Sequence, residues 1–131
     1  MVLLDTNTCI SLLHGDSAIL AQRLRSCAPS EIRVCSVVKG ELYYGARHSD
    51  RVEHHLEILA HFFDAVASVP FDDLCAEHYG SIRADLARHG AMIGPNDLQI
   101  AATARAYDLT LITANAREFA RVVGLRCENW A

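Results

Sequence analysis

The sequence is poor in the features that define many protein classes. Lys39 is its only lysine among 12 basic residues, and it holds 3 prolines and a single tryptophan. The 5 cysteines, Cys9, Cys27, Cys35, Cys75 and Cys127, are odd in number and form no CxxC or Cys/His pairing. That excludes a disulfide framework and a thiolate zinc site, and favours free thiols packed as small hydrophobes. No apolar run reaches the roughly 18 residues of a membrane span, and no charged segment leads into a secretory-type apolar stretch. These absences point to a soluble, cytosolic protein. There is no GxSxG elbow and no GxxxxGK[ST] phosphate loop. The tyrosines and Trp130 form no stacking stripe in sequence of the kind that single-stranded nucleic-acid platforms use.

Positive charge is also scarce. Twelve Lys and Arg stand against 16 Asp and Glu, for a net charge of −4. A simple electrostatic binder of nucleic acid would be basic, so a polyanionic substrate would need a local basic patch or a bound cation. What the chain does have is apolar content, 51% of 131 residues. That is incompatible with disorder and enough for one domain over residues 1–131 with a core of its own.

The pattern alternates short apolar runs with helical periodicity. Val2–Leu4 reads as a buried strand ending at Asp5-Thr6-Asn7, whose side chains suit a helix cap. A short helix over 8–14 stops at Gly15, and Ser17 caps a second that ends before Pro29. A strand over 32–36 leads into a helix from Val37 to about Ser49. Val52, Leu56, Leu59 and Phe63 mark a helix over 51–63. A strand over 65–69 precedes a long helix over 71–89 with Phe71, Leu74, Cys75, His78, Tyr79, Ile82 and Leu86 on one face. After the Gly94-Pro95-Asn96 loop come a helix to about Tyr107, a strand over 109–113, a short helix over 116–122 and a last strand over 125–128. Apolar strands alternating with helices predict an α/β fold, a parallel sheet covered on both faces.

Parallel sheets gather ligands beyond the carboxyl ends of their strands. Asp5 follows the first strand, Asn115 and Glu118 follow the fourth, Glu41 lies five residues after the second, and Asp97 opens a helix. Each has a plain reading: Asp5 as a cap, Glu41 paired with Arg47 or Lys39, Asp97 as a helix-dipole partner, Glu118 as a solvated helix residue. His54, His55 and His61 read as exposed helix positions. Jointly, though, four acids can converge on one sheet edge. Carboxylates that close repel one another, and a hard divalent cation such as Mg2+ or Mn2+ relieves the conflict. Such a centre can neutralise a scissile phosphate and activate water.

The segments Leu3-Leu4-Asp5-Thr6-Asn7, Glu41-Leu42-Tyr43-Tyr44-Gly45, 93–102, Thr113-Ala114-Asn115-Ala116-Arg117-Glu118-Phe119 and 123–130 together resemble the PIN-domain family, and within it the VapC-type toxins of toxin–antitoxin pairs. The resemblance spans essentially the whole chain, in order and at family spacing. It implies a PIN-like three-layer sandwich, usually dimeric, and a Mg2+- or Mn2+-dependent endoribonuclease that acts as a growth-inhibiting toxin. Carried over by position, Asp5 and Asp97 would be metal ligands and Glu41 a ligand or a base acting through water. Thr113 and Asn115 would orient the fourth corner, with Thr6 and Asn7 supporting Asp5. Arg83, Arg88 and Arg117 are candidates for the RNA backbone on charge and expected proximity. Many members carry Asp where this chain has Asn115, so Glu118 is the candidate substitute. The implied partners are an RNA, with the initiator tRNA anticodon loop foremost, and a VapB-type antitoxin through which any DNA contact would run. The antitoxin would block the active site and cover apolar toxin surface near 56–63, although core packing explains most of those residues. Two other readings stand beside this one: a different metal-dependent phosphohydrolase on the same acids, and a non-catalytic PIN module that binds RNA or a protein.

Overall fold

The structure, a computed structural model, describes residues 1–131. Strands are β1 (Val2–Leu4), β2 (Ile32–Cys35), β3 (Ala67–Val69), β4 (Thr110–Ile112) and β5 (Cys127–Glu128). Helices are α1 (Thr6–His14), α2 (Ala18–Arg25), α3 (Ser36–Arg47), α4 (Val52–Ala65), α5 (Asp73–Arg88), α6 (Pro95–Ala106) and α7 (Ala116–Phe119), with a 3-10 turn at Pro29–Glu31. All five strands are parallel, in the order β3-β2-β1-β4-β5.

The sheet is sealed on both faces, as its apolar strands require. Consecutive side chains of a strand point to opposite faces, and both Leu3 and Leu4 are fully buried; so are Val34, Cys35, Leu111 and Ile112 to within 1% exposure. The α/β reading holds, with corrections at the ends. The helix placed over 71–89 begins at Asp73, because Asp72 caps it by accepting from the Cys75 N–H. Leu74, placed on its inner face, is 41% exposed, whereas Cys75, Ile82 and Leu86 are buried. The helix over 116–122 ends at Phe119 and the last strand shrinks to two residues.

The first helix starts two residues earlier than its periodicity indicates, because Asp5 caps it. Ser17 caps α2 through its hydroxyl on the Leu20 N–H at 3.1 Å. α6 packs against α5 and also touches α3 and β4. Six of its residues are buried, Leu98, Ile100, Ala101, Ala102, Thr103 and Ala104; small side chains let a helix be covered on several sides. In α4 only Leu59 is fully buried, so the run 56–63 lies half in the core rather than within it. All five cysteines are free; Cys9, Cys35 and Cys75 are buried, and Cys27 and Cys127 half-buried. No helix is long and apolar enough to cross a membrane.

Candidate metal centre at the sheet edge

The strand order reverses direction between β1 and β4, so the loops after these two central strands part and open a crevice at their carboxyl ends. Asp5 sits at the first of these ends. Its backbone N–H donates to Ile112 O at 3.2 Å, which ties it to the end of β4. Its carboxylate Oδ1 accepts from the Thr8 N–H at 2.8 Å, leaving Oδ2 for other work. The cap reading and the site reading of Asp5 are thus compatible, since one oxygen serves each. Only 6% of the residue is exposed. Thr8 closes the corner by donating its hydroxyl to Ile112 O at 3.0 Å.

Beyond β4, Thr113 is fully buried. Its Oγ1 accepts from the Asn115 N–H at 2.9 Å and shapes the turn into α7. The Asn115 side-chain amide donates to Glu118 Oε2. Asn115 therefore holds Glu118, which supplies a carboxylate in this corner. Glu41 projects from the middle of α3 and Asp97 from the first turn of α6.

The electrostatics show which acids share this space. The Asp97 carboxyl is held above its ordinary range, first by burial and then by the negative charges of Glu118, Asp5 and Glu41. Three acids from other parts of the chain, 5, 41 and 118, therefore bear on Asp97. They do not touch: no three His, Cys, Asp or Glu side chains stand at metal-ligand spacing. Three of the four are turned onto their own donors, Asp5 onto Thr8, Glu118 onto Asn115 and Glu41 onto Thr6. An all-oxygen donor set of carboxylates beside a hydroxyl and an amide suits a hard divalent cation. A cation would also offset the mutual repulsion.

Thr6 is placed differently from the sequence reading. It does not support Asp5; its hydroxyl donates to Glu41 Oε1 at 2.6 Å across 35 residues of sequence. Glu41 pairs with neither Arg47 nor Lys39; the Lys39 ammonium sits over the Phe63 ring at 4.7 Å. Asn7 is exposed on α1 and is not among the partners of Asp5. Arg117 is exposed beside Glu118 on α7. Arg83 is engaged with Tyr79 on its own helix. Arg88 lines a separate depression of about 210 Å3 with Asp85, Arg105 and Val122, which none of the four acids reaches.

A larger cleft of about 410 Å3 opens beside Glu41. Ile10, Leu13, Leu42, Ile58 and Leu59 give it apolar walls, and His14 and His55 lie along it. His55, expected from the sequence to be an exposed helix residue, is half-buried, and the partial burial of α4 brings it here.

Comparison with known proteins gives matches over nearly the whole chain. Residues 2–125 match the PIN domain. A tRNA(fMet)-specific endonuclease VapC of Shigella flexneri is 39% identical over 129 residues, 98% of this chain and 97% of that protein. Ribonuclease VapC2 of Haemophilus influenzae is 37% identical over 98% of this chain and 96% of its own. Among solved structures, DNA-bound VapBC from Salmonella typhimurium superposes with a TM-score of 0.94 at 36% identity, covering 100% of both chains. VapBC2 from Rickettsia felis, bound to a fragment of its promoter, gives the same TM-score at 34% identity and the same coverage. The acids at the β1/β4 crevice, the five-stranded parallel sheet and these matches lead to one assignment: the chain belongs to the PIN-domain family, among the VapC proteins.

Proposed function

We propose that this protein is the toxin of a VapBC-type pair, an endoribonuclease that hydrolyses RNA phosphodiester bonds with a divalent cation, Mg2+ or Mn2+, held by Asp5, Glu41 and Asp97. The convergence of three carboxylates, Glu118, Asp5 and Glu41, on Asp97 carries the reading, because an uncompensated acid cluster is electrostatically costly and a cation removes that cost. Relatives named as ribonucleases support RNA as the substrate class, and the tRNA(fMet)-specific relative supports initiator tRNA. Free cysteines and an RNA substrate fit the cytoplasm.

When bound, the cation supplies charge neutralisation at the scissile phosphate and a nucleophilic water at neutral pH. The chain's residues set the stage for that chemistry. Asp5 presents Oδ2 because Thr8 occupies Oδ1. Thr6 fixes the rotamer of Glu41, and Asn115 fixes that of Glu118, which stands as the fourth acid. Arg117, exposed next to Glu118 on α7, is the proposed phosphate contact at this corner. The antitoxin would seat an apolar segment in the cleft of Ile10, Leu13, Leu42 and Ile58, beside the acids, and the toxin would act as a homodimer.

The test is cleavage of total RNA by the antitoxin-free protein with Mg2+ or Mn2+, with fragment ends mapped, beside an EDTA control and Asp97→Asn. Asp97→Asn is a cleaner control than Asp5→Ala, which also removes a helix cap worth about 1 kcal/mol. Discrete cuts, lost in both controls, are the expected result. Cuts that persist in Asp97→Asn would overturn the assignment of the site, and no cuts by a folded, metal-bound protein would favour a binding module.

A further inference from the structure

Glu41 shares its face of α3 with an exposed aromatic pair that the acid cluster does not use. At about 100° per residue, Glu41, Tyr44, Gly45 and His48 fall within roughly a third of the helix circumference. Tyr44 is 69% exposed. Its ring lies stacked against His48, with centroids 5.4 Å apart and planes 12° from parallel. The pair joins no two elements. Tyr43, one residue earlier, does the packing here, edge-on to Phe63 of α4 at 5.3 Å. Tyr44 thus keeps one ring face against His48 and offers the other to solvent. Gly45 adds open surface beside it, since a Cβ there would meet nothing within 4 Å.

The position of this pair suggests a use. Along the helix axis Tyr44 stands about 4.5 Å and His48 about 10 Å from Glu41. A chain whose scissile phosphate lay at the acids would carry a neighbouring nucleotide over these rings. Single-stranded RNA is read through bases splayed onto aromatic faces, and such stacking tolerates any base. It also needs no net positive charge, and the net charge of this chain is −4.

We propose that Tyr44, backed by His48, is a stacking platform for an unpaired nucleobase flanking the scissile phosphate. The proposal rests on the RNA-cleavage reading above. It places a specificity for single-stranded loops in the toxin itself.

Binding separates the platform from the chemistry. In an Asp97→Asn background, a short single-stranded RNA of mixed sequence is titrated against the full-length protein by fluorescence anisotropy. Adding Tyr44→Ala should weaken binding about fivefold to 150-fold, the range typical of one stacked base, and Tyr44→Trp should preserve it. The same RNA carrying abasic sites should bind both proteins equally. In the cleaving protein Tyr44→Ala should raise KM for a loop substrate more than it lowers kcat. Unchanged binding by the Tyr44→Ala protein, while the parent still cuts RNA, overturns the platform and leaves the nuclease reading intact. Equal loss on abasic RNA, or a loss seen only in dimer or antitoxin association, overturns it in favour of a protein contact. A parent protein that cuts no RNA with either ion removes both proposals.

Discussion

Single residues here serve two masters, and their energetics show it. Asp97 is held above the usual carboxylate range by burial and by three other acids. An acid whose pKa is raised on folding contributes stability that is complete below its unfolded value and is lost as pH rises through the folded value. The metal-free protein should therefore be destabilised by ionised Asp97 at neutral pH. Asp97→Asn should melt higher than the parent at pH 7, and the gap should close as pH falls below the ordinary carboxylate range of about 4. Calorimetry across that range checks it; a variant that melts lower at pH 7 contradicts the account. Thr6 carries the second residue-scale prediction. Its hydroxyl is the donor to Glu41 at 2.6 Å. Thr6→Val should weaken Mn2+ binding severalfold, and Thr6→Ser should restore it, as measured by titration of free Mn2+. Equal affinity in all three proteins would remove the positioning role. Asp5 and Asp97 were legible in the sequence as acids at a strand end and a helix start, and Glu41 as an acid on the helix that follows the second strand. The Thr6–Glu41 bond was not, because it joins residues 35 apart that meet only once α3 packs on α1.

At the scale of elements, stability concentrates in the central strands. Leu111 of β4 is fully buried, whereas Val123, twelve residues on, is 72% exposed. Leu111→Ala should cost about 2–5 kcal/mol through lost burial and the cavity left behind. Val123→Ala should stay within about 0.5 kcal/mol of the parent. Urea unfolding of the two variants side by side tests whether the β1/β4 centre, which also positions Asp5, anchors the fold. The strands were readable because a short apolar run buried on both faces has no other comfortable placement. Helix ends were read less well, since caps decide them: Asp5 begins α1 earlier than periodicity suggests, and Asp72 begins α5 later. The depth of α4 was also hidden in the sequence. Spacing of Val52, Leu56, Leu59 and Phe63 shows a face but not whether another element covers it fully.

For the whole molecule, the acid cluster makes folding and function pull in opposite directions. A net charge of −4 with four acids at one crevice leaves the metal-free chain less stable than the same fold without them. Cation binding should reverse this. A ligand that binds only the folded state stabilises it by about 2.7 kcal/mol at a hundredfold excess over Kd. Melting temperature should therefore climb with Mn2+ concentration in the parent, fall back when EDTA removes the ion, and stay nearly flat in Asp97→Asn. The overall α/β architecture was legible from composition and alternation. The cleft beside Glu41 was not, because its walls come from three helices whose packing no local pattern encodes.

One cation site built on Asp97 should serve RNA hydrolysis. The most direct measurement pairs Mn2+ binding, followed by electron paramagnetic resonance, with RNA cleavage in the same samples of the parent and Asp97→Asn proteins. Both signals should disappear together in a variant that melts no lower than the parent. Full Mn2+ binding or undiminished cleavage by Asp97→Asn would contradict the claim.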